Sequence, residues 1–298
     1  MKLKSFVIAL VTCFTGSAIA QPSTTEIWLV DLVMTKGKPA AGTPLRITQN
    51  TYYDNQPCFS KDGTLLWYAS MPDTTQSDIY QYNIKKKEFV QITQSPESEF
   101  QPQQIPYLKN KLSVVRVEMD KTQRLTQIGF DGSDVELLMP NEDSVAYYCW
   151  VNDTTCATYM LDGAGGKLEE FDMKPQQAII LMTENIGRCL VKIPGTSNFC
   201  YVIKDPKGKS VLMRYEMATE DRFPVTEMPA GVEDYTIAPD GKIYCALGTQ
   251  LLYFDPANDG STWQLVADFA KTVGTFYRLT ISPKGDKLAL VSYTGVKP

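Results

Sequence analysis

Hydrophobic and polar positions alternate in short runs along most of the chain, and turn residues interrupt them at even intervals. Typical runs are Leu65-Leu66-Trp67-Tyr68, Leu112-Ser113-Val114-Val115, Lys242-Ile243-Tyr244-Cys245 and Lys287-Leu288-Ala289-Leu290-Val291. The period is two, not 3.6, so these are strands with one or both faces covered. No long amphipathic helical pattern occurs after the first twenty residues. Turn signals such as Pro239-Asp240-Gly241 and Pro283-Lys284-Gly285 separate the runs. Glycine there accepts a positive φ without steric cost. An all-β chain is expected.

The runs repeat. Ile47-Thr48-Gln49-Asn50 and the following Asp54-Asn55-Gln56-Pro57 recur 45 residues on, without a gap, as Ile92-Thr93-Gln94-Ser95 and Glu99-Phe100-Gln101-Pro102. Glu26-Ile27-Trp28 matches Asp78-Ile79-Tyr80. The turn Phe59-Ser60-Lys61-Asp62-Gly63 recurs at Ile237–Gly241 and Ile281–Gly285, with weaker copies near Lys109-Asn110, Asn152-Asp153 and Pro194-Gly195. The six turns stand roughly 43 to 47 residues apart, the length of a four-stranded propeller blade. The phase of the repeat places two outer strands at one end of the chain (Glu26–Leu32, Leu45–Asn50) and two inner strands at the other (Tyr277–Ser282, Lys287–Ser292). Joined, they complete one blade. The expectation is a six-bladed β-propeller of four-stranded blades, closed by strands from both termini, which hides the edges of an open array.

Phe59-Ser60-Lys61-Asp62-Gly63-Thr64-Leu65-Leu66-Trp67, followed by Ser77-Asp78-Ile79-Tyr80 and Gln91-Ile92-Thr93, resembles the repeat of the TolB-like propeller family, as does Ser282–Leu288. The resemblance covers residues 21–298. It implies a propeller fold and says little about activity. TolB carries an additional N-terminal α/β domain for which 298 residues leave no room, so the likeness is to short exported proteins made of the propeller alone.

Residues 1–20 read as a secretory signal peptide: Lys2 and Lys4, an apolar run from Phe6, and Ala18-Ile19-Ala20 before Gln21. The apolar run is shorter than the ~20 residues that cross a bilayer. A periplasmic or secreted, monomeric protein without a membrane span is expected. Removing the signal takes the net charge from −5 to −7, which argues against nucleic acid as a partner. Six cysteines remain: Cys58, Cys149, Cys156, Cys189, Cys200 and Cys245. Cys149/Cys156 and Cys189/Cys200 each flank a short turn, and either disulfides or buried thiols fit that spacing.

The chain has no histidine. That excludes Ser-His-Asp and Cys-His mechanisms within it and most catalytic zinc sites. Candidate ligand residues are those just before each inner strand, which converge at the channel mouth: Asp54 and Gln56, Glu99 and Gln101, Arg188, Glu233 and Asp234, and Arg278. Glu142, Asp143, Glu184, Asn185 and Tyr277 hold similar positions. The carboxylates suggest an acidic ring, which would suit a cationic ligand or Ca²⁺; solvated loop acids are the plainer reading. Arg116 and Glu118 suit a cross-strand ion pair, or Arg116 reaches the channel. Tyr52 and Tyr53 are candidate exposed anchors, while the other aromatics are expected between blades. A binding or scaffold module for a protein or small molecule is the first expectation, without a cofactor. A metal-dependent hydrolase or lactonase with a channel cation is the alternative.

Overall fold

The computed structural model describes residues 24–294 apart from 74, 164 and 206–208. The expected signal peptide lies outside the described residues. The described chain is all strand and turn, without a helix. It opens with β1 (Thr25–Thr35), β2 (Lys38–Ala41) and β3 (Leu45–Arg46). Five runs of four strands follow. They are β4 (Tyr53–Phe59), β5 (Leu65–Met71), β6 (Asp78–Asn83) and β7 (Glu88–Gln91); then β8 (Ser98–Gln104), β9 (Lys111–Val117), β10 (Gln123–Gly129) and β11 (Glu136–Leu137). Next come β12 (Val145–Trp150), β13 (Thr155–Asp162), β14 (Gly165–Asp172) and β15 (Gln177–Met182). β16 (Val191–Lys192), β17 (Phe199–Lys204), β18 (Ser210–Glu216) and β19 (Asp221–Glu227) precede β20 (Tyr235–Ile237), β21 (Ile243–Leu247), β22 (Gln250–Phe254) and β23 (Gln264–Asp268). β24 (Phe276–Ile281) and β25 (Lys287–Tyr293) end it.

The arrangement is propeller-like, with four-stranded antiparallel blades. β8–β11, β12–β15, β16–β19 and β20–β23 are separate four-stranded sheets. The rest form one nine-stranded sheet, in which β4–β7 join β24, β25, β1, β2 and β3 through a single parallel bridge, Thr25 to Tyr53. β1 pairs antiparallel with β25 from Thr25↔Tyr293 to Asp31↔Lys287. The first and last described strands are therefore neighbours. β1 runs past the expected Leu32 into a hairpin with β2, and β3 is shorter than the expected Leu45–Asn50.

Among the described residues, buried apolar clusters fill the spaces between neighbouring strand groups. Alternation along β1 shows how: Ile27 and Leu29 pack with Phe59, Leu66 and Tyr68 on one side, and Val30 and Leu32 pack with Tyr244, Leu251 and Leu290 on the other. The period of two thus puts one strand into two cores. Trp67, Tyr253 and Trp263 occupy such interfaces, as expected of aromatics.

All six cysteines of the described residues are free thiols. For Cys149 and Cys156 the register gives the reason. Cys149 faces Ala157 and Cys156 faces Trp150, one step apart, so their side chains enter different cores on opposite faces of the sheet. Burial pushes Cys58, Cys189 and Cys200 up to about 12, leaving almost no thiolate at neutral pH. Alkylation of the native protein should therefore be slow at all six. Denaturation without reductant should release all six at once, and any residue that stays blocked until reduction contradicts the assignment.

Candidate functional site

Asp54 and Glu99 do not stand in a channel ring. Each closes a latch between the end of one blade and the start of the next, and the latch is built twice, its carboxylate side repeating 45 residues on and the strand it grips 52 residues on. In the first copy Thr48 Oγ1 accepts from Ile27 N (2.9 Å), Asn50 Nδ2 donates to Asp54 Oδ2 (2.9 Å), and Thr25 Oγ1 donates to the Asp54 carbonyl (2.8 Å). In the second, Thr93 Oγ1 accepts from Ile79 N (2.8 Å), Ser95 Oγ donates to Glu99 Oε1 (2.6 Å), and Ser77 Oγ donates to the Glu99 carbonyl (3.0 Å). Thr93 Oγ1 also donates to Glu99 Oε2 (3.1 Å). Both carboxylates are buried. Burial pushes Asp54 above its ordinary value against hydrogen bonds from Ser70, Asn50 and Thr48. It pushes Glu99 up to about 7, against hydrogen bonds from Ser95 and Thr93.

The other candidates divide. Gln56 and Gln101 line the central cavity but serve as struts between first strands: Gln101 N donates to Gln56 Oε1 (2.9 Å), and Gln101 Nε2 donates to the Tyr148 carbonyl (2.9 Å). Both glutamines have positive φ, 53° and 50°, at matching bulges before proline. Glu233 is ion-paired with Lys204 away from the cavity. Arg116 lies among Glu97 (2.6 Å), Glu118 (3.8 Å) and Glu99 (4.0 Å), the cross-strand reading. Among the described residues no three His, Cys, Asp or Glu side chains are grouped closely enough to hold a metal ion. The expected acidic ring is therefore replaced by latches and local ion pairs.

Arg188, Asp234 and Arg278 do come together. They hold matching positions 46 and 44 residues apart, just before or within three successive first strands. A cavity of about 300 Å³ opens there, lined from β4, β8, β12, β16, β20, β24 and the residues just before β16 and β20. Arg188 Nη2 donates to Asp234 Oδ2 (2.8 Å), and Arg278 Nε approaches Asp234 Oδ1 (3.5 Å). Arg278 Nη1 donates to Asn55 Oδ1 (2.9 Å), and Asn55 Nδ2 donates to the Tyr277 hydroxyl. Both guanidinium carbons lie 5.9 Å from the centre of the Tyr147 ring, within cation–π range. Burial opposes both charges, yet Asp234 and the surrounding groups hold the arginines above their ordinary value. Tyr53, expected as an exposed anchor, is half-buried, and burial pushes its hydroxyl up. Sequence reading missed Tyr147 and Asn55. An aromatic or amide within a strand carries no signal until the fold shows what faces it.

No family model matches the chain, and no curated protein matches it. Solved structures do. A protein described as TolB from Agrobacterium tumefaciens aligns with a TM-score of 0.70 at 12% identity, over 92% of this chain and 100% of that one. The fold is that of the TolB-like β-propellers. A gluconolactonase from Xanthomonas campestris aligns at 0.61 and 10% identity, over 84% and 90% of the two chains. An oligogalacturonate lyase in complex with manganese aligns at 0.57 and 14%, over 84% and 80%. At these identities the likeness is one of fold.

Proposed function

We propose that residues 21–298 form an exported six-bladed propeller that works as a monomeric binding module, taking its ligand in the central cavity. Six strand groups support the count, once the nine-stranded sheet is divided at its single bridge: five of four strands, and one of β24, β25, β1 and β3 with β2 as a hairpin extension of β1. The β1–β25 pairing supports closure by strands from both ends of the chain. Export rests on the pattern of residues 1–20; among the described residues no helix is long and apolar enough to cross a membrane.

The observation that carries the binding role is the cavity itself. It gathers Arg188, Asp234 and Arg278 with Tyr147, from segments far apart in sequence, in one concave space. A concave pocket with a few convergent polar groups is the usual form of a ligand site. A thermal-shift screen of small molecules tests it, run in parallel on Thr280→Trp, which fills the cavity from β24. Compounds that raise the melting temperature of the native protein should leave that of Thr280→Trp unmoved. Equal shifts in both proteins, or none in either, contradict the proposal.

A metal-dependent hydrolase or lactonase is the alternative that the names of two fold neighbours bring to mind. The described residues do not fit a resident divalent cation. Asp234 is the single carboxylate among the described cavity-lining residues, and two guanidinium groups already share it. Such a cation needs several oxygen ligands.

A further inference from the structure

Resting on that reading, we propose that the ligand is a small organic carboxylate, received by Arg188 and Arg278 with its body against Tyr147. The charge of the cavity runs against that of the protein. The whole chain is at −5, yet the described lining carries Arg188, Lys192 and Arg278 against the one carboxylate of Asp234. A positive concave site in an acidic protein concentrates anions locally.

The arginines also have capacity to spare. A guanidinium offers five N–H donors and accepts nothing. Asp234 takes one good contact from Arg188 and a long one from Arg278. Arg188 Nε is buried without a hydrogen-bond partner. Its side chain is 37% exposed, against 14% for Arg278, so Arg188 is the group an incoming ligand meets first. Asn55 fixes Arg278 from the other side. The planar fork of arginine matches a carboxylate with two parallel donors.

The walls set the rest of the ligand. Tyr147 stands beside both guanidinium groups, and Leu190 and Ile237 line the cavity as well. A bare inorganic anion would leave those surfaces unused. At about 300 Å³ the cavity is at the small end for ligand pockets, which suits a small acid with an apolar or aromatic body.

Calorimetric titration tests this with phenylacetate and hexanoate, their neutral amides, and inorganic phosphate. At least one acid should bind the native protein ten-fold or more tightly than its amide and than phosphate. Arg188→Gln should weaken that acid at least ten-fold. Asp234→Asn should tighten it several-fold, because the internal competitor for both arginines loses its charge. A purely structural role would not move the two variants in opposite directions. Should Asp234→Asn fail to fold, Arg188→Gln decides alone, since Arg278 still pairs Asp234 in it. Amides that match the acids, phosphate that matches the best acid, or an Arg188→Gln protein with native affinity overturns the proposal. If neutral compounds bind and Thr280→Trp blocks them, the binding module stands and the carboxylate does not. If no acid or amide binds and the thermal-shift screen also finds nothing, both fall.

Discussion

Deleting residues 24–50 is expected to abolish cooperative folding rather than trim a tail. β1 supplies Ile27 and Leu29 to one interface core and Val30 and Leu32 to the other, and all four side chains are buried. Each contributes about 1.5–3 kcal/mol by burial. Together they approach the roughly 5–15 kcal/mol that holds a domain folded. The deletion also strips β25 of its partner from Thr25 to Asp31, exposing an edge that invites aggregation. Circular dichroism against temperature checks this. The truncated protein should show no cooperative transition, or precipitate. A cooperative transition at the native temperature would mean that β1 does not complete a blade.

The second large effect concerns pH. Glu99 moves from an ordinary value of 4.5 to about 7 on folding, chiefly through burial. The folded protein therefore binds this proton more tightly than the unfolded chain. The group's contribution is most favourable below about pH 4.5 and is lost as pH rises through about 7. The span is about 3 kcal/mol at most, at 1.36 kcal/mol per pH unit. Glu99→Gln removes the ionisation, and its amide can accept from Ser95 and donate towards Thr93. Urea unfolding at pH 5 and pH 8 measures the difference. The native protein should lose stability relative to Glu99→Gln on going from pH 5 to pH 8. A constant gap between the two proteins contradicts the shift.

The latch also shows how far the sequence could be read. The 45-residue repeat that located the strands contained one side of the latch: Thr48 and Thr93, Asn50 and Ser95, Asp54 and Glu99. Spacing gave their height along the propeller but not the direction of their side chains. The bulges at Gln56 and Gln101, with positive φ, break the simple alternation on which a direction could have been counted. Asp54 and Glu99 therefore read as channel residues although their side chains serve the junctions between blades. Arg188, Asp234 and Arg278 were legible because they share one position in successive repeats. The purpose of that cluster was not, since Tyr147 and Asn55, which shape it, come from other blades. The cysteines fall between. Their spacing fits a hairpin, but a register step of one residue sends Cys149 and Cys156 to opposite faces.

The most direct measurement is a crystal structure of the protein soaked with the best acid from the titration. Its carboxylate density should lie between Arg188 and Arg278, with its body beside Tyr147. Density on the outer strands, at the latches of Asp54 or Glu99, or near Glu233 with the cavity unchanged would contradict it.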